Sequence, residues 1–205
     1  KYNFVYLKNI IKMQIIIETD KSFLKQYDLP ENFNKIIKNI TQEINDKLLV
    51  NPPIIVYGKK CHQHRSVAFY SNESIGYRYS GQLAKSKELT DNLKLILDYI
   101  NKKFNAKFNG ILVNKYSKGT DYIGCHSDDE SSLSKIGVIA ISFGVVRKFR
   151  IRDKNTKKIV KDIPTLSNKI LHMGGEFQKE FTHEIPIERK VKGIRWSFTF
   201  RKHLK

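Results

Sequence analysis

Apolar side chains recur every three or four residues in two segments of the chain, residues 31–48 and 87–104. The apolar positions are Phe33, Ile36, Ile37, Ile40, Ile44 and Leu48 in the first segment, and Leu89, Leu93, Ile96, Leu97, Ile100 and Phe104 in the second. This spacing gathers them on one face of an α-helix. Pro30, near the start of the first segment, suits a first helical turn. The sequence therefore predicts two amphipathic helices that each cover a core.

After residue 104 the pattern changes to short apolar runs separated by turn residues such as Asn109-Gly110 and Gly174-Gly175. Such runs indicate β-strands. The predicted strands are Phe108–Tyr116, Val138–Phe143, Lys148–Arg152, Lys158–Ile163, Lys169–Met173, Phe181–Ile185 and Ile194–Arg201. Helices followed by many short strands predict an α+β protein, or a β-sandwich with supporting helices on one face. We expect one structural domain, in which residues 1–50 support a core formed by residues 51–205.

The last predicted strand alternates apolar and polar side chains without a break. Ile194, Trp196, Phe198 and Phe200 share one face, and Arg195, Ser197, Thr199 and Arg201 share the other. If the polar face meets solvent, this is an ordinary outer strand. If it faces the inside of a sandwich, two buried arginines require an anionic ligand.

The chain is strongly basic, with a net charge of +18 over 205 residues and a pI near 9.8. This excess favours a polyanionic partner, such as nucleic acid, over the neutral substrate of an ordinary metabolic enzyme. Residues 1–50 are nearly neutral, and the densest basic run is Arg147–Lys161. That run fits a hairpin along a phosphate backbone or a solvated loop. Lysine greatly outnumbers arginine, which is typical of AT-rich coding sequences in large DNA viruses or AT-rich microbes.

Two further features bound where the protein works. No run approaches the roughly 20 apolar residues of a membrane-spanning helix, so no membrane association is predicted. Cys61 and Cys125 are too few for a disulfide scaffold and fit a reducing compartment. We expect an intracellular protein of the nucleus or cytoplasm, with a monomer as the default state.

The triplet His126-Ser127-Asp128 places an imidazole and a carboxylate on one side of an extended segment. A His-x-acid triplet alone is a weak signal, and a lone histidine is more often a hydrogen-bonded structural residue. With His183 from a distant strand, the three residues form the two-His-one-carboxylate set that binds Fe(II) and leaves coordination positions open. Arg195 and Arg201 follow, and both suit a dicarboxylate.

The ordered motifs of residues 54–201 resemble the AlkB-type dioxygenases, which depend on Fe(II) and 2-oxoglutarate. The matching segments are Tyr77-Arg78-Tyr79-Ser80-Gly81, Phe108-Asn109, Asn114-x-Tyr116-x-x-Gly119-x-Asp121-x-Ile123-Gly124-x-His126-Ser127-Asp128-Asp129-Glu130, Ile139-Ala140-Ile141-Ser142-Phe143-Gly144, Arg147-x-Phe149, His183-x-Ile185-Pro186 and Arg195-x-Ser197-x-Thr199-Phe200-Arg201. Each segment alone is weak, whereas their joint order is highly specific. The resemblance implies a double-stranded β-helix (jelly-roll) core, within residues 51–205, that carries a substrate lid.

The resemblance also implies roles for individual residues. The implied metal ligands are His126, Asp128 and His183, and the implied 2-oxoglutarate ligands are Asn114, Tyr116, Arg195, Ser197 and Arg201. The implied substrate contacts are Tyr77, Tyr79 and Ser80 in the lid and Asp129 and Glu130 at the pocket mouth. Tyr79 is expected to stack on a flipped base. For Arg65, a phosphate contact and an exposed, solvated side chain both stay open.

Carried over from this family, the expected activity is oxidative demethylation of 1-methyladenine and 3-methylcytosine in DNA or RNA, with release of formaldehyde. The expected cofactor is Fe(II), and 2-oxoglutarate and O₂ are the expected cosubstrates. One alternative keeps the oxygenase and changes the substrate, to a regulatory RNA base, a protein or a small molecule. A second is a non-catalytic basic module that binds nucleic acid and uses these residues structurally.

The two arginines of the last predicted strand lie far apart along the chain. Six residues along a flat strand separate the Cα atoms of Arg195 and Arg201 by roughly 20 Å, which is far longer than 2-oxoglutarate. Both side chains reach one such ligand only if strand twist and side-chain length bring them together.

Overall fold

A computed structural model describes residues 13–56, 58–79, 82–128 and 136–202. Its helices are α1 (Phe33–Ile44), α2 (Asp91–Phe104) and the short α3 (Phe177–Glu180), with a 3-10 turn at Asn45–Lys47. Its strands are β1 (Met13–Glu18), β2 (Ser22–Asp28), β3 (Leu49–Val50), β4 (Pro53–Val56), β5 (Lys59–His62), β6 (Ser66–Tyr70), β7 (Gly76–Tyr79), β8 (Gln82–Lys87), β9 (Gly110–Tyr116), β10 (Ile123–His126), β11 (Val138–Gly144), β12 (Lys148–Asp153), β13 (Ile159–Pro164), β14 (Lys169–Gly175), β15 (Phe181–Ile185) and β16 (Arg195–Arg201).

The strands form two large sheets that pack face to face. The major sheet has the order β1-β2-β14-β11-β16-β9-β6-β8-β7, with β3 beside β6, and the minor sheet has the order β10-β15-β12-β13. Leu171 and Met173 of the major sheet share a buried cluster with Phe149 and Ile185 of the minor sheet. Strands β4 and β5 form a separate hairpin. This arrangement confirms the predicted jelly-roll core.

Both long helices lie against the outer face of the major sheet. Ile40 of α1 and Ile96 of α2 are fully buried in one cluster with Ile141 and Phe198 of the sheet. This confirms supporting helices on one face. Helix α2 begins at Asp91 rather than 87, because residues 82–87 form β8, which pairs with β7 and β6. Thr90 caps the helix by accepting a hydrogen bond from the Leu93 N–H at 3.3 Å.

The seven strands predicted after residue 104 all occur, with bounds shifted by at most two residues. Strand β10 was not predicted, because its four residues include Gly124 and show no apolar alternation. Strands β1 and β2 extend the major sheet beside β14, so residues 13–28 share a sheet with the core. The division at residue 50 stays a prediction. No helix in the described ranges is long and apolar enough to span a membrane.

Strand β16 turns its polar face inward. Trp196, Phe198 and Phe200 pack toward the helices, while the side chains of Arg195 and Arg201 line the pocket between the two sheets. Every residue of the strand is buried. The polar face of this strand therefore lies inside the sandwich, with two buried arginines, and does not meet solvent.

Candidate metal and cosubstrate site

Three predicted metal ligands meet at one end of the pocket. Strands β10 and β15 pair so that His126 lies directly opposite His183, and Asp128 follows two residues after His126. The carboxylate of Asp128 lies 3.8 Å from Nε2 of His126 and 3.7 Å from Nε2 of His183. One donor atom from each residue lies within 4.8 Å of the other two. The pairing of two distant strands thus assembles a three-donor face.

The protonation states of the histidines suit a metal. Nδ1 of His126 lies 2.8 Å from the carbonyl oxygen of Gly124, so a proton on Nδ1 leaves the Nε2 lone pair toward Asp128. Burial lowers the pKa of His183 to about 3, and the neighbouring His126 and Arg201 act in the same direction. Burial also lowers the pKa of His126. Both imidazoles are neutral at pH 7, as metal ligation requires.

The carboxylate of Asp128 stays ionised although it is 6% exposed. Burial by itself would raise the pKa of Asp128, but the charge of Arg201 and its hydrogen bond to the carboxylate oppose burial, and the pKa lies well below its usual range. Nη2 of Arg201 donates to Oδ1 of Asp128 at 2.9 Å. Two neutral imidazoles and one carboxylate are the donor set typical of non-haem Fe(II), so these residues fit the expected metal.

Arg195 lies at a different place in the pocket and is 3% exposed. Its Nε donates to the Thr165 hydroxyl and its Nη2 to the Ser142 hydroxyl, each at 3.0 Å. Its Nη1 is buried and has no hydrogen-bond partner among the described residues. Burial lowers the pKa of Arg195 to about 10, against an opposing contribution from Tyr116, so the group is charged at neutral pH. A buried cation with an unused N–H fits the carboxylate of 2-oxoglutarate.

The other predicted cosubstrate residues line the same pocket. Asn114, Tyr116 and Ser197 all border it, and Asn114 lies opposite Ser197 in the register of β9 and β16. Oδ1 of Asn114 accepts a hydrogen bond from Nε of Arg65 at 2.7 Å. Arg65 is 4% exposed, so the alternative of a solvated arginine is wrong. Contact of these residues with cosubstrate or substrate stays a prediction.

The predicted lid contains an antiparallel hairpin. Tyr77 and Tyr79 lie on β7, opposite Ala84 and Gln82 of β8. The predicted substrate contacts Ser80, Asp129 and Glu130 lie outside the described residues.

Of the two structures predicted for the basic run 147–161, a hairpin and a solvated loop, the protein has the hairpin. Strands β12 and β13 carry Arg150 and Arg152, and Arg147 directly precedes β12; all three arginines make contacts within the fold. Arg147 is 1% exposed and donates to Glu188 and to backbone carbonyl oxygens of Lys118, Gly119, Asp121 and Pro186. Arg150 pairs with Asp162, and Arg152 pairs with Glu184. Contact of this hairpin with a phosphate backbone stays a prediction.

Two residues that hold predicted site residues in place were not predicted from the sequence. Thr165 binds Arg195, and Gln178 accepts a hydrogen bond from the backbone of Asp128. A threonine after Pro164 and a glutamine in a four-residue helix carry no pattern that would single them out. Their contacts join positions 30 and 50 residues apart in the chain.

Comparison with known proteins agrees with this geometry. Residues 22–201 match the model of the 2OG-Fe(II) oxygenase superfamily. The chain is 32% identical over 157 residues to the human DNA oxidative demethylase ALKBH2, covering 73% of this chain and 60% of that protein. It is 32% identical over 118 residues to human alpha-ketoglutarate-dependent dioxygenase alkB homolog 3, covering 53% of this chain and 41% of that one. The chain thus spans less than two thirds of the length of either relative.

The solved structure of OsALKBH1 has a similar fold. The superposition has a TM-score of 0.59 at 17% identity and covers 91% of this chain and 100% of that one. Together with the donor set of His126, Asp128 and His183, the family match confirms the predicted cofactors, which are Fe(II) with 2-oxoglutarate and O₂ as cosubstrates. The predicted enzyme class, an Fe(II)- and 2-oxoglutarate-dependent dioxygenase, is confirmed with them. The chain belongs to the 2OG-Fe(II) oxygenase superfamily, as one of its AlkB-type members.

Proposed function

We propose that the protein removes methyl groups from alkylated nucleic-acid bases, with 1-methyladenine and 3-methylcytosine in DNA or RNA as its substrates. The observation that carries the proposal is the joint presence, in one pocket, of the three-donor face and a buried arginine with an unused N–H. The similarity to proteins named DNA oxidative demethylases supports the choice of substrate. The net charge of +18 supports a polyanionic one.

Metal binding and 2-oxoglutarate binding would use residues at two different places in the pocket. His126, Asp128 and His183 would hold the metal through Nε2 of each imidazole and the carboxylate. Arg195 would hold one carboxylate of 2-oxoglutarate, since its Nη1 is available and its other donors are fixed by Thr165 and Ser142. Bound Fe(II), with 2-oxoglutarate and O₂, supplies the oxidising power that hydroxylates an N-methyl group. The hydroxymethyl base then breaks down to formaldehyde and the unmodified base.

The methylated base must leave the helix stack to reach this site. Methyl groups at N1 of adenine and N3 of cytosine lie on the pairing edge, which is closed inside a duplex. These lesions block pairing, so extrusion of the base costs less free energy than for a normal pair. We infer that Tyr79 and Tyr77 of the lid contact the flipped base, and that Asp129 and Glu130 lie at the pocket mouth. A base stacked on an aromatic ring gains roughly 1–3 kcal/mol.

We also infer that the protein works as a monomer on single strands or on flipped bases in duplexes. Both cysteines are free thiols, which fits a reducing compartment such as the nucleus or cytoplasm. A non-catalytic nucleic-acid-binding module is not favoured, because the family match and the intact donor set both point to an oxygenase.

The test is mass spectrometry of oligonucleotides that carry 1-methyladenine or 3-methylcytosine. Incubation with Fe(II), ascorbate and 2-oxoglutarate should remove one CH₂ unit only when oxygen is admitted. The same assay on DNA and RNA versions of each oligonucleotide identifies the preferred nucleic acid. Succinate formation without loss of mass from any strand would contradict the proposed substrate while leaving the oxygenase intact.

A further inference from the structure

The main chain of Asp128 is held by a side chain from a distant part of the sequence. The backbone N–H of Asp128 donates to Oε1 of Gln178 at 2.9 Å. Gln178 is 7% exposed and lies in α3, the short helix that directly precedes β15 and its ligand His183. This buried hydrogen bond therefore joins the segment that carries one metal ligand to the segment that carries another.

The orientation of the Gln178 amide is defined by its two partners. A backbone N–H is a donor, so only the amide oxygen can face Asp128, and the amide nitrogen lies 3.7 Å from Sδ of Met173, a weak acceptor. Phe177, the preceding residue, is fully buried in the core between the sheets and fixes α3 in place. The acceptor for Asp128 is thus anchored to the core rather than to a mobile surface.

A second hydrogen bond runs along the same junction. The hydroxyl of Ser127 donates to the carbonyl oxygen of Phe181 at 3.0 Å. The side chain of Asp128 is held as well, because Nη2 of Arg201 donates to its Oδ1 at 2.9 Å. With the carboxylate held by Arg201 and the main chain by Gln178, Asp128 cannot pivot away from the two imidazoles.

We infer that Gln178 is a positioning residue of the metal centre. It sets the position of the Asp128 carboxylate relative to Nε2 of His126 and His183 without itself contacting the metal. Outer residues that orient ligands in this way typically change metal affinity by roughly 10- to 100-fold when lost. The inference rests on the metal role of the three ligands and is independent of the nucleic-acid substrate.

The test measures the affinity of the purified metal-free protein for Co(II), under anaerobic conditions, by titration of the visible absorption of bound Co(II). Gln178→Leu removes the acceptor and should weaken Co(II) binding about 10-fold or more. Gln178→Glu keeps an oxygen acceptor and should restore affinity to within about threefold of the parent protein, with the parent Co(II) spectrum. Lys179→Met, at a neighbouring exposed position of α3, is the matched control and should bind as the parent does.

Thermal unfolding of each metal-free variant separates positioning from general loss of structure. Equal Co(II) affinity in the parent and Gln178→Leu would overturn the inference. Equal weakening by Gln178→Leu and Gln178→Glu, at equal metal-free stability, would also overturn it, since the acceptor oxygen would then be irrelevant. If Gln178→Leu does not fold, Gln178→Met replaces it and is judged by the same two comparisons. Failure here leaves the demethylation assay untouched, because no nucleic acid enters the measurement.

Discussion

Nη2 of Arg201 lies 2.9 Å from Oδ1 of Asp128, so an arginine predicted to bind the cosubstrate is paired with a metal ligand. Among the residues that the structure describes, Arg195 on the same strand pairs with no carboxylate and keeps an unused N–H in the pocket. In this structure the two side chains contact different groups, and the binding of 2-oxoglutarate by both arginines stays a prediction. Arg201 keeps Asp128 ionised, and Arg195 has an N–H available for a carboxylate.

Loss of Arg201 should be costly for stability. Arg201→Met leaves the buried carboxylate of Asp128 without its cation, and breaking a buried pair costs about 3–5 kcal/mol. The free energy of unfolding of the metal-free protein in urea measures this. Arg150→Met, which breaks a partly exposed pair with Asp162, is the control and should cost less than about 1 kcal/mol. Similar losses in both variants would contradict the role assigned to Arg201.

Loss of Arg195 should affect the cosubstrate and spare the metal. Arg195→Met removes the buried donor that faces the pocket, so the concentration of 2-oxoglutarate needed for half-saturation should rise by about 10-fold or more. Co(II) affinity should stay within about twofold, because Arg195 touches none of the three ligands. Titration of the two ligands separately checks both statements. An unchanged 2-oxoglutarate requirement would assign its carboxylate to another residue.

Arg65 should act on the cosubstrate through Asn114. Because Oδ1 of Asn114 accepts from Arg65, its amide nitrogen is the atom left to face a ligand. Arg65→Met removes this constraint and should weaken 2-oxoglutarate binding several-fold, by roughly the 1 kcal/mol of a typical hydrogen bond. His64→Met, at the exposed neighbouring position, should have no effect on that binding. If Arg65→Met weakens oligonucleotide binding and leaves 2-oxoglutarate binding unchanged, Arg65 contacts a phosphate instead.

His172 should make stability depend on pH. Burial lowers the pKa of His172 below its ordinary 6.5, and the charge of Lys25 adds to this against a hydrogen bond to the Ile136 carbonyl. As the pH falls below about 6.5, the unfolded chain takes up the proton first, so the free energy of unfolding decreases. His172→Phe should reduce that decrease between pH 7.5 and 5, as measured by urea unfolding. An identical pH dependence in both proteins would contradict it.

The sequence predicts the strands and the metal ligands, but it predicts neither which face of a strand is buried nor which distant residues contact a charged side chain. The alternation of β16 defines the strand, but which face lies inside depends on the helices that cover Trp196 and Phe198. The ligands appear as an ordered motif because metal binding requires particular side chains. Arg147 seemed part of a charged surface, yet it is buried against carbonyl oxygens of two distant loops. Contacts of that kind leave no periodic pattern.

We propose that one pocket couples turnover of 2-oxoglutarate to removal of a base methyl group. The most direct test measures succinate and formaldehyde together, with an oligonucleotide containing 1-methyladenine, for the parent protein and His183→Ala. We expect equal amounts of the two products from the parent protein and neither from the variant, with oligonucleotide binding retained. Formaldehyde release that persists in His183→Ala, or succinate without formaldehyde from the parent, would contradict it.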